Sequence, residues 1–272
     1  MSMFFSAGYE IKNTIYCLNM ELSTFILEKD FARQGFTHVI GTDEVGRGPL
    51  CGPVLACAAM YKKHDFEIPK ELEKQFDLIR DSKKVSEKQR ESIFDFICEH
   101  FYIGIGLCDH ETIDRINILE ASFLSMKKAI QELRRNMSQD LWGDIEPKYI
   151  VLVDGNKEIP NLSMEQYAVI GGDKLVKSIS AASIVAKVTR DRMMEEMHVK
   201  YPQYGLDKHK GYGTKMHMDA LIKYGPCEIH RKSFAPVKRA LKRIETRPDT
   251  TDYSHEFSNK TSLSQEIKKL LQ

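Results

Sequence analysis

The sequence has no long apolar run, no internal repeat, no paired-cysteine motif and almost no net charge. No stretch approaches the roughly 18 uncharged apolar residues of a membrane span, so no membrane partner is expected. Glu10 and Lys12 break the N-terminal run MSMFFSAGYEIK too early for a signal-peptide core. The six cysteines (Cys17, Cys51, Cys57, Cys98, Cys108, Cys227) form no C-x-x-C pair and no zinc-ligand spacing. Reduced thiols, several of them in the core, and a cytoplasmic location are therefore expected. His209, His217 and His230 are too dispersed along the chain to suggest a metal site. With 9 Pro, 16 Gly and 42% hydrophobic residues among 272, collagen-like, mucin-like and wholly disordered chains are excluded. Forty Lys and Arg against 39 Asp and Glu leave a formal charge of +1, which implies no partner.

The charge is unevenly placed. Residues 174–243 hold 16 Lys and Arg but 6 Asp and Glu, a local excess that suits a nucleic-acid surface as well as it suits solvated helix faces. Residues 1–36 read as an extension, with Met20 as an alternative start close to the first strong strand. Thr37–Thr42 and Val54–Tyr61 read as strands of an antiparallel pair joined by the Gly- and Pro-rich GRGPLCGP. Ser86 caps a helix, Tyr102–Leu107 is a third strand, and 110–135 has the spacing of one long amphipathic helix. Tyr149–Val153 reads as a strand buried on both faces, and Tyr167–Ile170 as a short strand. Ser178–Val199 is a helix whose small residues allow close packing on a sheet. Two shorter helices, near Lys215–Tyr224 and Phe234–Ile244, follow a loop. The pattern predicts an α/β domain with a mixed sheet. The divisions expected are an extension (1–36), a catalytic domain (37–200), a helical C-terminal part (201–245) and a polar tail (246–272) with a helical turn at Gln265–Leu271.

Acidic residues stand directly after the apolar strands. Asp43 and Glu44 end THVIGT, Asp154 ends YIVLV, and Asp173 follows AVIGG. Carboxylates at the carboxyl ends of strands converge on one rim of an α/β sheet. Such oxygens suit hard cations, Mg²⁺ or Mn²⁺, and two ions would clamp a phosphodiester for in-line attack. A single acid in such a place is commonly a turn residue or a helix cap. Four of them, each acidic segment flanked by glycine (Gly41, Gly46, Gly155, Gly172), suggest metal-dependent phosphate chemistry without naming a substrate.

Seven segments carry a resemblance to one family: GTDEVGRGPLCGPV, DSKKVSEKQR, ETIDRINIL, VLVDGNKEIP, GGDKLVKSISAASIVAKVTRDR, YPQYGLDKHKGYGT and HRKSFAPVK. In order and spacing they closely resemble type 2 ribonuclease H (ribonuclease HII), from about Gly41 to Arg243. The resemblance implies a ribonuclease H-like mixed β-sheet flanked by helices, with a small helical C-terminal part. It implies a nuclease that cuts the RNA strand of RNA/DNA hybrids and single ribonucleotides embedded in duplex DNA. Cleavage would fall on the 5′ side of the ribonucleotide, leaving 5′-phosphate and 3′-hydroxyl ends. Asp43, Glu44, Asp154 and Asp173 would be the catalytic and metal-binding carboxylates. Gly46, Arg47 and Gly48 match the family's ribose-sensing loop, and Tyr212 the tyrosine placed against the following deoxyribose. Ser82, Lys83, Lys84, Lys187, Lys210 and Arg231 are further candidate substrate ligands, with Lys232 beside them, while Asp191 reads as a member of a structural ion pair.

A catalytically silent hybrid-binding protein would be expected to lack one of the four acids. The related ribonuclease HIII lacks the GRG signature and carries a larger N-terminal domain. A resolvase on the same fold would cut an all-DNA junction. The Gln265–Leu271 stretch lacks the terminal aromatic pair of a sliding-clamp motif, so none is assigned. A monomer is expected.

Overall fold

A computed structural model describes residues 22–137 and 147–245. Met20, the tail 246–272 and its expected turn at 265–271 lie outside the described residues. Five strands form one mixed sheet: β1 (His38–Val45), β2 (Val54–Tyr61), β3 (Phe101–Cys108), β4 (Tyr149–Asp154) and β5 (Glu165–Val169). Their order is β3-β2-β1-β4-β5. The first three are antiparallel, as the short GRGPLCGP connection requires, and β4 runs parallel to both β1 and β5.

Strand alternation decides which helix each face meets. Leu55, Cys57, Ala59 and Tyr61 of β2 share a core with helix α7 (Lys177–Lys200), whereas Ala56, Ala58 and Met60 face helix α5 (Ile118–Asn136). In β4, Ile150 and Leu152 join the first core, and Val151 and Val153 the second. Both strands are thus covered on two sides, which is why their sequences are nearly continuous apolar runs. The small residues Ser178, Ala181, Ala182 and Ala186 let α7 lie close to the sheet. At Gly41 of β1, any Cβ would overlap the backbone of Ser178 and Ile179, so the start of α7 rests directly on this strand.

Two expectations are corrected. The segment 110–135 is not one helix: α4 (His110–Ile116) ends at Asn117, and α5 begins after it. Asn117 takes φ +69° with ψ 165°, outside the left-handed helical well and in a region that residues with a Cβ rarely adopt. Its Oδ1 accepts from the N–H groups of Leu119 and Glu120 at 2.9 and 3.1 Å, so the break doubles as a cap. The boundary at residue 36 is likewise no break in packing. Helix α1 (Ile26–Arg33) and the residues before it are part of the core. Phe25 stacks on Tyr61 with ring centroids 4.7 Å apart, and Glu28 Oε1 accepts from both the N–H and the Oγ–H of Ser178 at 2.8 Å. That carboxylate satisfies the first turn of α7, which has no cap of its own.

Two short helices, α2 (Glu73–Leu78) and α3 (Glu87–His100), flank the α7 face, and α3 begins at a capping box formed by Ser86 and Gln89. The short α6 (Gly172–Leu175) leads into α7. Beyond α7, helices α8 (Leu206–His209), α9 (Lys215–Tyr224) and α10 (Ala235–Glu245) make the C-terminal part. It shares a core with the end of α7 and the β1–β2 connection through Leu50, Cys51, Met194, Met197, Tyr204 and Leu221. Packing therefore crosses the expected division at residue 200. Among the described residues, no helix is long and apolar enough to cross a membrane.

A chain starting at Phe36 should be much less stable than one starting at Leu22, because the residues between them are packed into the core. Phe25, Leu27 and Phe31 are buried, and each contributes about 1.5–3 kcal/mol. A fall in melting temperature of roughly 10 °C or more is expected. Equal melting of the two truncated chains would show that residues 22–35 add nothing to the core.

Candidate active site

The parallel register of β1 and β4 aligns Thr42 with Val153, so Asp43 and Asp154 leave neighbouring strand ends. Asp43 points to the α7 side, two residues beyond Gly41, while Asp154, at the end of β4, stands at the rim where both faces meet. Asp43 is 8% exposed and Asp173, on α6, is 4% exposed. Backbone groups tie the acids together: the Glu44 N–H donates to Asp43 Oδ1 at 2.7 Å, and the Asp173 N–H to Asp154 Oδ1 at 3.2 Å. Glu44 turns to the opposite face. There it lines a cleft of about 220 Å³ with Arg47, Ser122, Asp154, Asn156 and Lys157, floored by Phe123, Met126 and Val153.

The acids are held against their own repulsion. Burial, then the charges of Asp154 and Glu44, push the Asp43 carboxyl well above the usual carboxylate range. Burial also raises Glu44, against the pull of Arg47, and burial followed by the charge of Asp173 raises Asp154. A cluster of oxygen donors in this state is suited to a hard divalent cation, which would relieve the repulsion and restore the charged forms. Asp43, Glu44, Asp154 and Asp173 are the residues that could hold one. Lys83 reaches over the cluster, its Nζ 3.4 Å from Asp173 Oδ2 and its side chain 81% exposed. Partial desolvation works against the Lys83 ammonium, but Asp173, Asp43 and Asp81 outweigh it and raise its pKa.

Two serines that sequence reasoning did not place in these roles support the acids. Ser183 of α7 hydrogen-bonds to Asp43, and its Oγ lies 3.0 Å from that of Ser82. Ser82 is buried, so this candidate substrate ligand instead supports the acid at second hand. Ser180 donates to the Asp173 carbonyl at 2.8 Å. The helical spacing of Ser180 and Ser183 was visible in the sequence, but which strand α7 faced was not.

The other candidates divide by exposure. Arg47 and Gly48 are exposed, and Arg47 donates to Glu44 Oε1 at 3.2 Å. A Cβ on Gly48 would sit 3.4 Å from Tyr212 Cε1, so the Tyr212 ring, 42% exposed, lies beside the loop. Lys84 is exposed. Lys187 pairs with Asp191 at 2.7 Å, the ion pair expected for that acid, and Lys210 with Glu195 at 2.5 Å. Arg231 is not on the surface at all. It is 0% exposed, and its guanidinium donates to the carbonyls of Gly46, Arg47, Pro49 and Gly52 at 2.6–3.1 Å. As a direct phosphate ligand it is corrected to an internal support of the loop. Arg190, also 0% exposed, donates to the carbonyls of Pro53 and Lys210 at 3.1 and 3.0 Å.

The histidines, far apart in sequence, converge in space, which corrects the expectation that they are too dispersed to meet. His209 stacks on His217 at 4.6 Å between centroids, and His217 Nε2 lies 3.1 Å from His230 Nε2. With Cys51, His217 and His230 have the arrangement of a possible ligand group. Hydrogen bonding nevertheless accounts for the ring nitrogens without an ion. His217 Nδ1–H donates to the Tyr212 carbonyl at 3.0 Å, which leaves Nε2 as an acceptor. His230 Nδ1 accepts from the Cys227 N–H at 3.0 Å, so its Nε2 carries the proton that bridges the pair. This is a neutral relay holding the Tyr212 backbone.

Burial, then His217, pulls His230 down to about 3, and burial also lowers His217. In the unfolded chain both titrate near 6.5. Below that pH the unfolded state gains protons that the folded state refuses, so stability present above pH 6.5 is lost as pH falls. Glu28, raised to about 7 chiefly by burial, acts in the opposite sense between pH 4.5 and 7. The histidine contribution is therefore read as a difference. His230→Gln should be less stable at pH 7.5, yet lose less of its melting temperature than the parent between pH 7 and 5. Parallel pH profiles would mean that His230 is not held neutral.

Comparison with known proteins places this geometry. The family model described as Ribonuclease HII matches residues 40–237. A curated ribonuclease HII from Caldicellulosiruptor bescii is 45% identical over 218 residues, spanning 80% of this chain and 96% of the relative. Among solved structures, ribonuclease H2 from Pyrococcus horikoshii aligns with a TM-score of 0.57 and 26% identity, covering 77% of this chain and all of that one. Bst-RNase HIII, solved in complex with Mn²⁺, has the same TM-score at 19% identity, covering 79% of this chain and 73% of that one. Fold likeness alone thus does not separate HII from HIII, whereas the family model and the sequence identity do. The chain belongs to the ribonuclease HII family and is a ribonuclease H, an endonuclease that hydrolyses phosphodiesters.

Proposed function

We propose that this ribonuclease H cuts the RNA strand of RNA/DNA hybrids and single ribonucleotides embedded in duplex DNA. In this reading it cuts on the 5′ side of the ribonucleotide and leaves 5′-phosphate and 3′-hydroxyl ends. The observation that carries it is the Gly46–Gly48 loop, which leaves β1 directly after the acids and has the Tyr212 ring beside Gly48. Glycines there let the backbone approach a sugar, and the 2′-hydroxyl is what separates RNA from DNA. The ring beside it offers an apolar face to the neighbouring deoxyribose.

Asp43, Glu44, Asp154 and Asp173 would hold two divalent ions, Mn²⁺ or Mg²⁺. When bound, such ions activate the attacking water and stabilise the leaving 3′-oxygen. The chain's own groups orient the donors. Ser183 and the Glu44 N–H fix Asp43, and the Asp173 N–H fixes one oxygen of Asp154. Lys83, already drawn to Asp173, is placed to meet a phosphate, and Lys84 follows it on the same exposed turn. The basic residues of α9 and α10 suit the flanking duplex backbone. All these groups come from one chain, so a monomer suffices. Among the described residues five cysteines are free, which fits the reducing cytoplasm.

Asp43→Asn should lower kcat by about 10³-fold or more, since a neutral amide is a poor ligand for a hard cation. Without metal the variant should fold at least as stably as the parent, because one member of a repelling buried set is gone. It should also lose most of the rise in melting temperature that Mn²⁺ gives the parent. Near-parental turnover at saturating metal would remove Asp43 from the ion site.

Tyr212→Phe should keep most of kcat/KM on a duplex with one ribonucleotide, because the apolar face survives. Tyr212→Ala should lose about 5- to 150-fold, the range of aromatic stacking on nucleic acid. Equal large losses in both variants would assign the work to the hydroxyl; no loss in either would take Tyr212 out of the site.

A further inference from the structure

We propose that Arg231 is the positioning residue that presents the Gly46–Arg47–Gly48 loop to the sugar, so that it governs discrimination for a 2′-hydroxyl more than the rate of hydrolysis itself. This rests on the reading above that the loop senses ribose.

The argument begins with the peptide plane. In a trans peptide the C=O and the following N–H point in opposite directions. The carbonyls of Gly46 and Arg47 both point inward to the Arg231 guanidinium, at 2.6 and 3.1 Å. The N–H groups of Arg47 and Gly48 must then point the other way, on the side where both residues are exposed. Two successive outward amides form a concave donor pair suited to an oxygen ligand. Arg231 makes that pair by holding its reverse side. Two further bonds, to Pro49 and Gly52 at 2.7 and 3.0 Å, extend its grip past the turn.

The start of the loop is closely backed as well as held. Gly46 sits at φ +95°, where a Cβ would also overlap the Arg190 side chain, so the segment is both strained for other residues and closely backed. Arg231 is fixed in turn. Its own N–H donates to the Leu50 carbonyl at 2.9 Å. Asp114 of α4 receives the N–H groups of Lys232 and Ser233 at 2.8 Å, locking the backbone just after it. The preceding residue, His230, belongs to the relay that holds the Tyr212 carbonyl through His217. Two adjacent residues thus fix the loop and the tyrosine relative to each other. A lysine could not replace Arg231, because one ammonium with three donors cannot span four carbonyls.

The test measures kcat/KM on two duplexes that differ at one nucleotide, a ribonucleotide or its 2′-fluoro analogue. The proteins are the parent, Arg231→Lys, Arg231→Gln and Asp114→Asn. The parent should prefer the hydroxyl strongly. Arg231→Lys should reduce that preference at least tenfold, Arg231→Gln more, and Asp114→Asn less but in the same direction. Melting curves accompany each variant; should both Arg231 variants fail to fold, Asp114→Asn decides. If the variants lose activity equally on both duplexes, or keep the parental preference, Arg231 is structural only and the proposal is overturned. A parent with no preference for the hydroxyl would instead overturn the ribose-sensing reading on which the proposal stands.

Discussion

Everything at the active site is registered on one close approach, where the start of α7 rests on Gly41 of β1. With no side chain between helix and strand, the positions along α7 are set to within the size of an atom. Ser180 and Ser183, on the next turns, then reach Asp173 and Asp43. Arg190, two turns further, comes beneath the β1–β2 connection, and Met194 and Met197 enter the core of the C-terminal part. A single helix thereby sets the acids, the loop and the C-terminal helices on one scale.

The electrostatic arrangement is lopsided in a way that the overall charge of +1 conceals. Carboxylates crowd one rim, where burial first, and then the charges of their neighbours, raise Asp43, Glu44 and Asp154. Close by in space, two buried guanidiniums from far along the chain back the loop, and burial followed by the neighbouring Arg190 lowers Arg231 to about 9. The acid cluster is costly in the folded protein, and a divalent cation has the sign that relieves it, whereas the two guanidiniums are compensated within the fold by the carbonyls around them.

Much of this was legible in the sequence. The apolar runs of β2 and β4, the Ser86 cap and the acids after strands followed from periodicity and residue chemistry. The mixed sheet followed from the order of elements. What escaped was non-local. Asn117 reads as an ordinary polar position in a helix until its φ is known. Phe25 and Glu28 look like parts of an extension because their partners, Tyr61 and Ser178, lie far along the chain. Arg231 looks like a surface cation in a basic segment, and only the carbonyls turned toward it reveal a buried strut. The three histidines are separated in sequence by other residues of the C-terminal part, so one-dimensional spacing misses a stack that closes in space.

The sheet order also shapes how the chain reaches its fold during synthesis. β1 emerges early and needs only a short connection to meet β2, but its other edge must wait for β4; the paired segments around Thr37 and Lys148 are 111 residues apart. Until then an apolar strand presents open hydrogen-bonding groups on one side, the kind of edge that invites pairing with another chain. The start of α7 arrives later still, 150 residues after Glu28. A nascent chain of this protein therefore passes through a long interval with its central strand half-paired, and that interval, rather than the finished enzyme, is where chaperone protection has the most to guard.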